Sequence, residues 1–169
     1  MRNSKTGLTM VELMVCLCIC AALGVAGSAA WYGMLPDLEL GSAVRDVYTV
    51  MQAARIYSIK ERTEVAVSPV QGPGLEAFVD NGAGTDAGNG RRDAGETLIC
   101  KRVFPPAVDV VRITFSAGRL RFNSRGMPRG AGSVCLRNRK GKHLGVSVAI
   151  SGALSVKESK DGGSTWKRL

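Results

Sequence analysis

The chain has 169 residues, 45% of them hydrophobic but only 5% aromatic, so it holds one modest domain with a small aliphatic core and little else. Twenty-one glycines favour turns over long soluble helices, and a net charge of +9 excludes an acidic, solvating chain. The charge is uneven: residues 91–169 hold seventeen Lys and Arg against five Asp and Glu, whereas residues 8–90 hold four against nine. An excess of +12 in one half either solubilises a strand-rich surface or meets an anionic partner such as nucleic acid, polysaccharide or lipid headgroups.

In chain order, the first element is apolar. Leu13 to Leu35 is 23 residues without a charge, enough to span a bilayer core of roughly 30 Å. A secretory signal would end sooner, at small residues. Here the run passes Gly27-Ser28-Ala29-Ala30 and continues through Trp31 and Tyr32, an aromatic pair suited to a membrane interface. Arg2 and Lys5 precede the run and nothing basic follows before Arg45, which places residues 1–7 in the cytoplasm and the rest outside. Glu12 sits at the head of this segment, where a lone carboxylate is costly unless it has a task.

Pro36, three residues after Gly33, predicts a kink or a short break. Helical spacing then resumes at Leu40, Val44, Val47, Met51 and Ala54, an amphipathic stripe ending near Ile59 that should bury against a sheet. Beyond Lys60 the pattern turns to short strands: Glu64–Val70, Leu75–Val79, Thr97–Phe104, Val108–Phe115, Arg119–Phe122, Ser133–Leu136, Gly145–Ile150 and Ala153–Lys157. Turns such as Ser116-Ala117-Gly118 and the loop Asn138–Lys142 separate them. Alternation puts Val108, Val110 and Arg112 on one face and Val111, Ile113 and Phe115 on the other. The fold class is therefore α+β, a long helix followed by an antiparallel, mostly meandering β-domain over 61–169.

Gly7-Leu8-Thr9-Met10-Val11-Glu12-Leu13-Met14 resembles the processing site of type IV pilins and type II secretion pseudopilins. The resemblance implies a leader of residues 1–7, cleavage between Gly7 and Leu8 by a prepilin peptidase, N-methylation of Leu8, and Glu12 as the fifth mature residue. Leu8 departs from the phenylalanine or methionine usual in the family. Cleavage creates an α-amine with a reference pKa near 8, mostly protonated at neutral pH. That cation and Glu12 can pair between docked subunits and set their register, or pair within one chain. Further stretches, "FVDNGAGTDAGNGRRDAGETLI", "VRITFSAGRLRFNSRGMPRGAGSVCL" and "GVSVAISGALSV", are similar to the GspH/FimT branch. That branch implies an assembly helix over 8–35, an amphipathic helix over 36–60, and a two-sheet β-domain. It also implies a non-enzymatic subunit of a pilus or secretion pseudopilus, anchored in the bacterial inner membrane with its domain in the periplasm. Expected partners are other pilin subunits, the peptidase and the membrane. Alternatives are a minor pilin that captures DNA, and a single-pass membrane protein that never polymerises and carries a ligand-binding β-domain.

The remaining chemistry is sparse. Residues Thr85–Glu96 have Gly90 at the turn position of a calcium loop, with Asn89, Asp93 and Glu96 at ligand positions. Thr85 and Ala87 occupy the first ligand positions and Asp86 is out of register, so a Gly-rich hairpin loop is the better expectation, and no metal or cofactor is called for. Cys16, Cys18 and Cys20 lie in the apolar segment. Cys100 and Cys135 fall on strands of the exported domain, where a disulfide would close about 35 residues and contribute roughly 4 kcal/mol; the alternative is two buried thiols. His143 in "RNRKGKHLG" is expected as an exposed loop histidine, and no catalytic arrangement surrounds it. A nucleic-acid contact would fall on Arg119, Arg121, Arg125, Arg129, Arg137, Arg139, Lys140 and Lys142, with Trp166 as a stacking plane. FimT-like pilins that bind DNA carry an arginine after a C-terminal glycine; the matching segment here, Gly152-Ala153-Leu154, has none.

Overall fold

The computed structural model describes residues 9–81, 89–93, 95–159 and 165–168. One helix, α1, runs Met10–Lys60 and is long and apolar enough to cross a membrane, with a mean hydropathy of 2.3 in its most apolar stretch. The chain divides into two units, residues 1–35 and residues 36–169. In the first, large apolar side chains such as Leu13, Leu17, Ile19 and Trp31 are exposed around the helix. The expected break is not seen, because helix continues through Gly33 and Pro36. A proline removes only its own N–H, so neighbouring turns can hold the helix together.

In the second unit the helical stripe is buried as its spacing predicts. Leu40, Val47, Met51 and Ala54 are fully buried and Val44 nearly so, and Ala43 and Val50 widen the same face. Two antiparallel sheets complete the core. Sheet 1 has the order β3-β2-β1-β5, from β1 (Val65–Pro69), β2 (Gly74–Val79), β3 (Leu98–Val103) and β5 (Leu120–Phe122). Sheet 2 has the order β4-β6-β7-β8-β9, from β4 (Val108–Ile113), β6 (Gly132–Asn138), β7 (His143–Val148), β8 (Leu154–Ser159) and β9 (Lys167–Arg168). The inward residues of both sheets, among them Val65, Val67, Phe122, Val134, Leu136 and Val146, join the helical stripe in one cluster. The path is a meander within each sheet, except that β4 leaves for sheet 2 and β5 returns to pair with β1.

Two local features correct the strand reading. A bulge between Val110 and Arg112 puts an extra residue in β4. Val111 is left 48% exposed, and Ile113 packs against the core on the side of Val108 and Val110 rather than opposite them. The terminal β9, which pairs Lys167 with Glu158, was not anticipated from the two charged residues that form it. The turn at Ser116-Ala117-Gly118 is present, with positive φ at Ala117 (54°) and Gly118 (70°).

Asn138 anchors one end of the domain. Its Nδ2 donates to Asp37 Oδ1 at 2.9 Å and to the Pro36 carbonyl at 3.4 Å, while its Oδ1 accepts from the N–H groups of Lys140 (3.1 Å) and Lys142 (2.9 Å). The side chain thus holds the β6–β7 turn against the start of the amphipathic half of α1, although it is 2% exposed. At the centre of the core, Phe122 is fully buried. Phe122→Ala in the detergent-solubilised full chain is expected to lower unfolding stability by about 3–5 kcal/mol, read as a shifted denaturant midpoint by near-UV circular dichroism.

Candidate functional site

Gly7 and Leu8 lie outside the described residues, but their neighbours show how the helix begins. Thr9 precedes the first turn of α1 and Glu12 stands three residues on. The Thr9 N–H donates to Glu12 Oε2 at 3.4 Å, and the Glu12 N–H donates to Thr9 Oγ1 at 3.3 Å. This reciprocal pair is a capping box, in which each side chain satisfies a backbone donor the helix leaves unpaired. The Thr-x-x-Glu spacing at the start of an apolar helix is the sequence signature of such a box. Glu12 is therefore placed against the backbone at the N-terminal end of α1, where its charge also suits the positive end of the helix dipole. Cys16, Cys18 and Cys20 are exposed on the same helix.

A cluster of charges sits on sheet 1. Arg121, on β5, reaches Glu64 Oε2 at 2.8 Å and has Nε 3.4 Å from Asp80 Oδ2, while Arg129 pairs with Glu64 Oε1. The Asp80 side chain is fully buried and accepts the Gly90 N–H at 3.0 Å. Burial alone would raise the Glu64 pKa; the hydrogen bonds and charges of Arg129 and then Arg121 outweigh it and hold the carboxyl below its ordinary value. Arg119 donates to the Asn89 carbonyl and packs on Gly90.

The expected basic residues are thus largely engaged by the chain's own acids. Arg137 meets Asp109 at 3.4 Å, Lys140 meets Asp37 at 3.6 Å and Lys142 meets Glu158 at 3.2 Å. Arg119, Arg121 and Arg129 line one cavity of about 200 Å³. Arg137, Arg139, Lys140 and Lys142 belong to β6 and the turn after it, on sheet 2. Among the described residues, the exposed Arg125 and Arg139 side chains make no ion pair.

Of the calcium-like loop, Thr85, Asp86 and Ala87 lie outside the described residues. In the described part, Asn89 Nδ2 donates to Asp93 Oδ2 at 3.0 Å and the Asp93 N–H donates to Glu96 Oε2 at 2.8 Å. These acids serve the loop's own donors, as turn residues do.

Of the two alternatives for Cys100 and Cys135, the structure has thiols rather than a disulfide. Both thiols are free, Cys100 on β3 of sheet 1 and Cys135 on β6 of sheet 2. Burial pushes both thiols above their ordinary pKa, and nearby arginines, Arg102 and Arg112 respectively, offset it in part. His143 is not an exposed loop residue: β7 begins with it, and it is 8% exposed. Trp166 is part-buried against Gly145 rather than open for stacking; a side chain at Gly145 would begin 3.1 Å from the indole ring.

A long N-terminal apolar helix followed by two antiparallel sheets is the pilin fold. The chain belongs to the family described as type II transport protein GspH, whose model matches residues 43–153. The fold is similar to the crystal structure of the type IV minor pilin FimU of Pseudomonas aeruginosa, with a TM-score of 0.56 and 16% identity over 75% of this chain and 96% of that one. No curated protein sequence matches the chain.

The lowered Glu64 group carries a pH signature. Its contribution is fully present above the ordinary value of 4.5 and is lost as pH falls through the lowered one. Glu64→Gln is expected to lower the thermal midpoint at neutral pH, with the gap to wild type closing as pH falls well below 4.5, as measured by melting curves across pH.

Proposed function

We propose that the chain is a minor pilin or pseudopilin, a structural subunit made as a precursor and cut between Gly7 and Leu8. The leader of residues 1–7 stays with the peptidase side of the inner membrane, Leu8 is N-methylated, and the domain from Pro36 onward lies in the periplasm until assembly. The helix over 8–35 then leaves the bilayer for a filament, where its apolar sides pack against other subunits instead of lipid. It has no catalytic task.

The observation that carries this reading is the Thr9–Glu12 arrangement at the head of an apolar helix. In an isolated chain the Glu12 carboxylate is satisfied by Thr9. Those contacts are long and involve a neutral partner, whereas an ammonium group offers a charge-assisted hydrogen bond, roughly twice as strong. A new amine on the adjacent Leu8, from the same chain or a docked one, is a better partner. In a low-dielectric bundle it offsets the burial of both charges and selects one axial register. Membership of the GspH family supports the secretion pseudopilus, and likeness to a type IV minor pilin supports the pilus; the subunit chemistry is common to both.

Intact-mass analysis of the native protein is expected to show loss of residues 1–7 and gain of one methyl group, both abolished when the peptidase is deleted. Glu12→Gln should leave cleavage intact and reduce recovery in sheared filaments at least tenfold. A mature chain beginning at Met1, or full incorporation of the variant, would overturn the proposal.

A further inference from the structure

Assembly leaves one built feature of sheet 2 unused. Along β6, Ser133, Cys135 and Arg137 alternate with the core residues Val134 and Leu136, and along β7 His143 and Gly145 alternate with Leu144 and Val146. Cys135 stands opposite Gly145, and His143 opposite Arg137. Cys135 and His143 are therefore diagonal neighbours on the outer face, a relation that sets them roughly 7–8 Å apart or less. Both line a cavity of about 240 Å³ shared with Arg112, Thr114, Ser133 and Trp166.

Three observations mark this cavity as a site. Cys135 is 6% exposed and His143 8%, so two side chains with metal-binding chemistry are withdrawn from water at one place. The His143 Nδ1 is buried and has no hydrogen-bond partner among the described residues, a state that buried polar atoms rarely keep without a ligand. Gly145 leaves room for the Trp166 ring directly beside them, which shields the cavity.

We propose that Cys135 Sγ and His143 Nδ1 form a two-ligand site for a monovalent copper ion. The donor set decides the metal. Calcium and magnesium need several oxygen ligands, and zinc in a structural site needs four donors where this cavity offers two. A thiolate and an imidazole suit soft Cu(I), which accepts two ligands in line. On binding, the Cys135 S–H bond gives way to an S–Cu bond and the proton leaves to solvent; copper stays Cu(I) throughout. Thiolate and Cu(I) cancel in charge, so the buried pair carries no net charge.

The test uses the full chain in detergent micelles with Cys16→Ser, Cys18→Ser, Cys20→Ser, Cys100→Ser and Trp31→Phe, which leaves one thiol and one tryptophan. Cu(I) is titrated anaerobically against a chromogenic chelator. The expected result is one equivalent bound, a change in Trp166 emission that saturates with it, and at least 100-fold weaker binding after Cys135→Ser or His143→Phe. X-ray absorption on the protein that keeps both donors should show one sulfur and one nitrogen at copper, a readout independent of whether either variant folds. No bound equivalent, affinity unchanged by His143→Phe, or a shell of sulfur alone overturns the proposal.

Discussion

The constraint on which the rest of this molecule depends is a helix with two solvents. Over its first half α1 shows apolar side chains on all sides, and water is the wrong medium for such a surface. Over its second half only one stripe is apolar, and that stripe is consumed by the protein's own core. The domain is thus complete without its first 35 residues, whereas those residues are not complete without lipid or other helices. This division gives the two parts of the chain different requirements, one met by the protein's own core and the other not.

Charge in the domain follows a related economy. The strongly basic C-terminal half does not present a uniform field, because acids from the N-terminal half are folded back onto it. Glu64 and Asp80 take Arg121 and Arg129, Asp46 takes Arg102, and Asp37 takes Lys140. Most of these pairs are at least part-exposed and contribute little each. Asp80 differs, because its carboxylate is buried and is met both by a guanidinium and by the Gly90 N–H. There the pairing ties Gly90 to Asp80 and Arg121.

Much of this was legible before any coordinates. The 4-3-4-3 spacing from Leu40 to Ala54 named the buried stripe because a helix repeats near 3.6 residues. The eight long strands were visible because turn residues interrupt runs of period two. What escaped has physical reasons. Alternation cannot foresee a bulge, so strict period two leaves Val111 on the side away from Val108, as found, but puts Ile113 there with it, whereas the bulge returns Ile113 to the core side. His143 looks polar and sits in a basic stretch, yet burial is a tertiary property set by β8 and Trp166 coming to lie beside it. The arginines read as a surface for phosphate because their acidic partners lie up to 65 residues away in sequence. At Thr9 and Glu12 the spacing shows both a lone carboxylate and a capping box, and only the pairing of the backbone donors tells the second from the first.

The way the chain passes between the sheets has a mechanical consequence. It moves from sheet 1 to sheet 2 at β4, back at β5, and across again at β6. No single sheet can peel away without tearing strands out of the other, so the two yield together or not at all. The strand exchange stitches the two sheets into one block, with no layer free to shear away from the other.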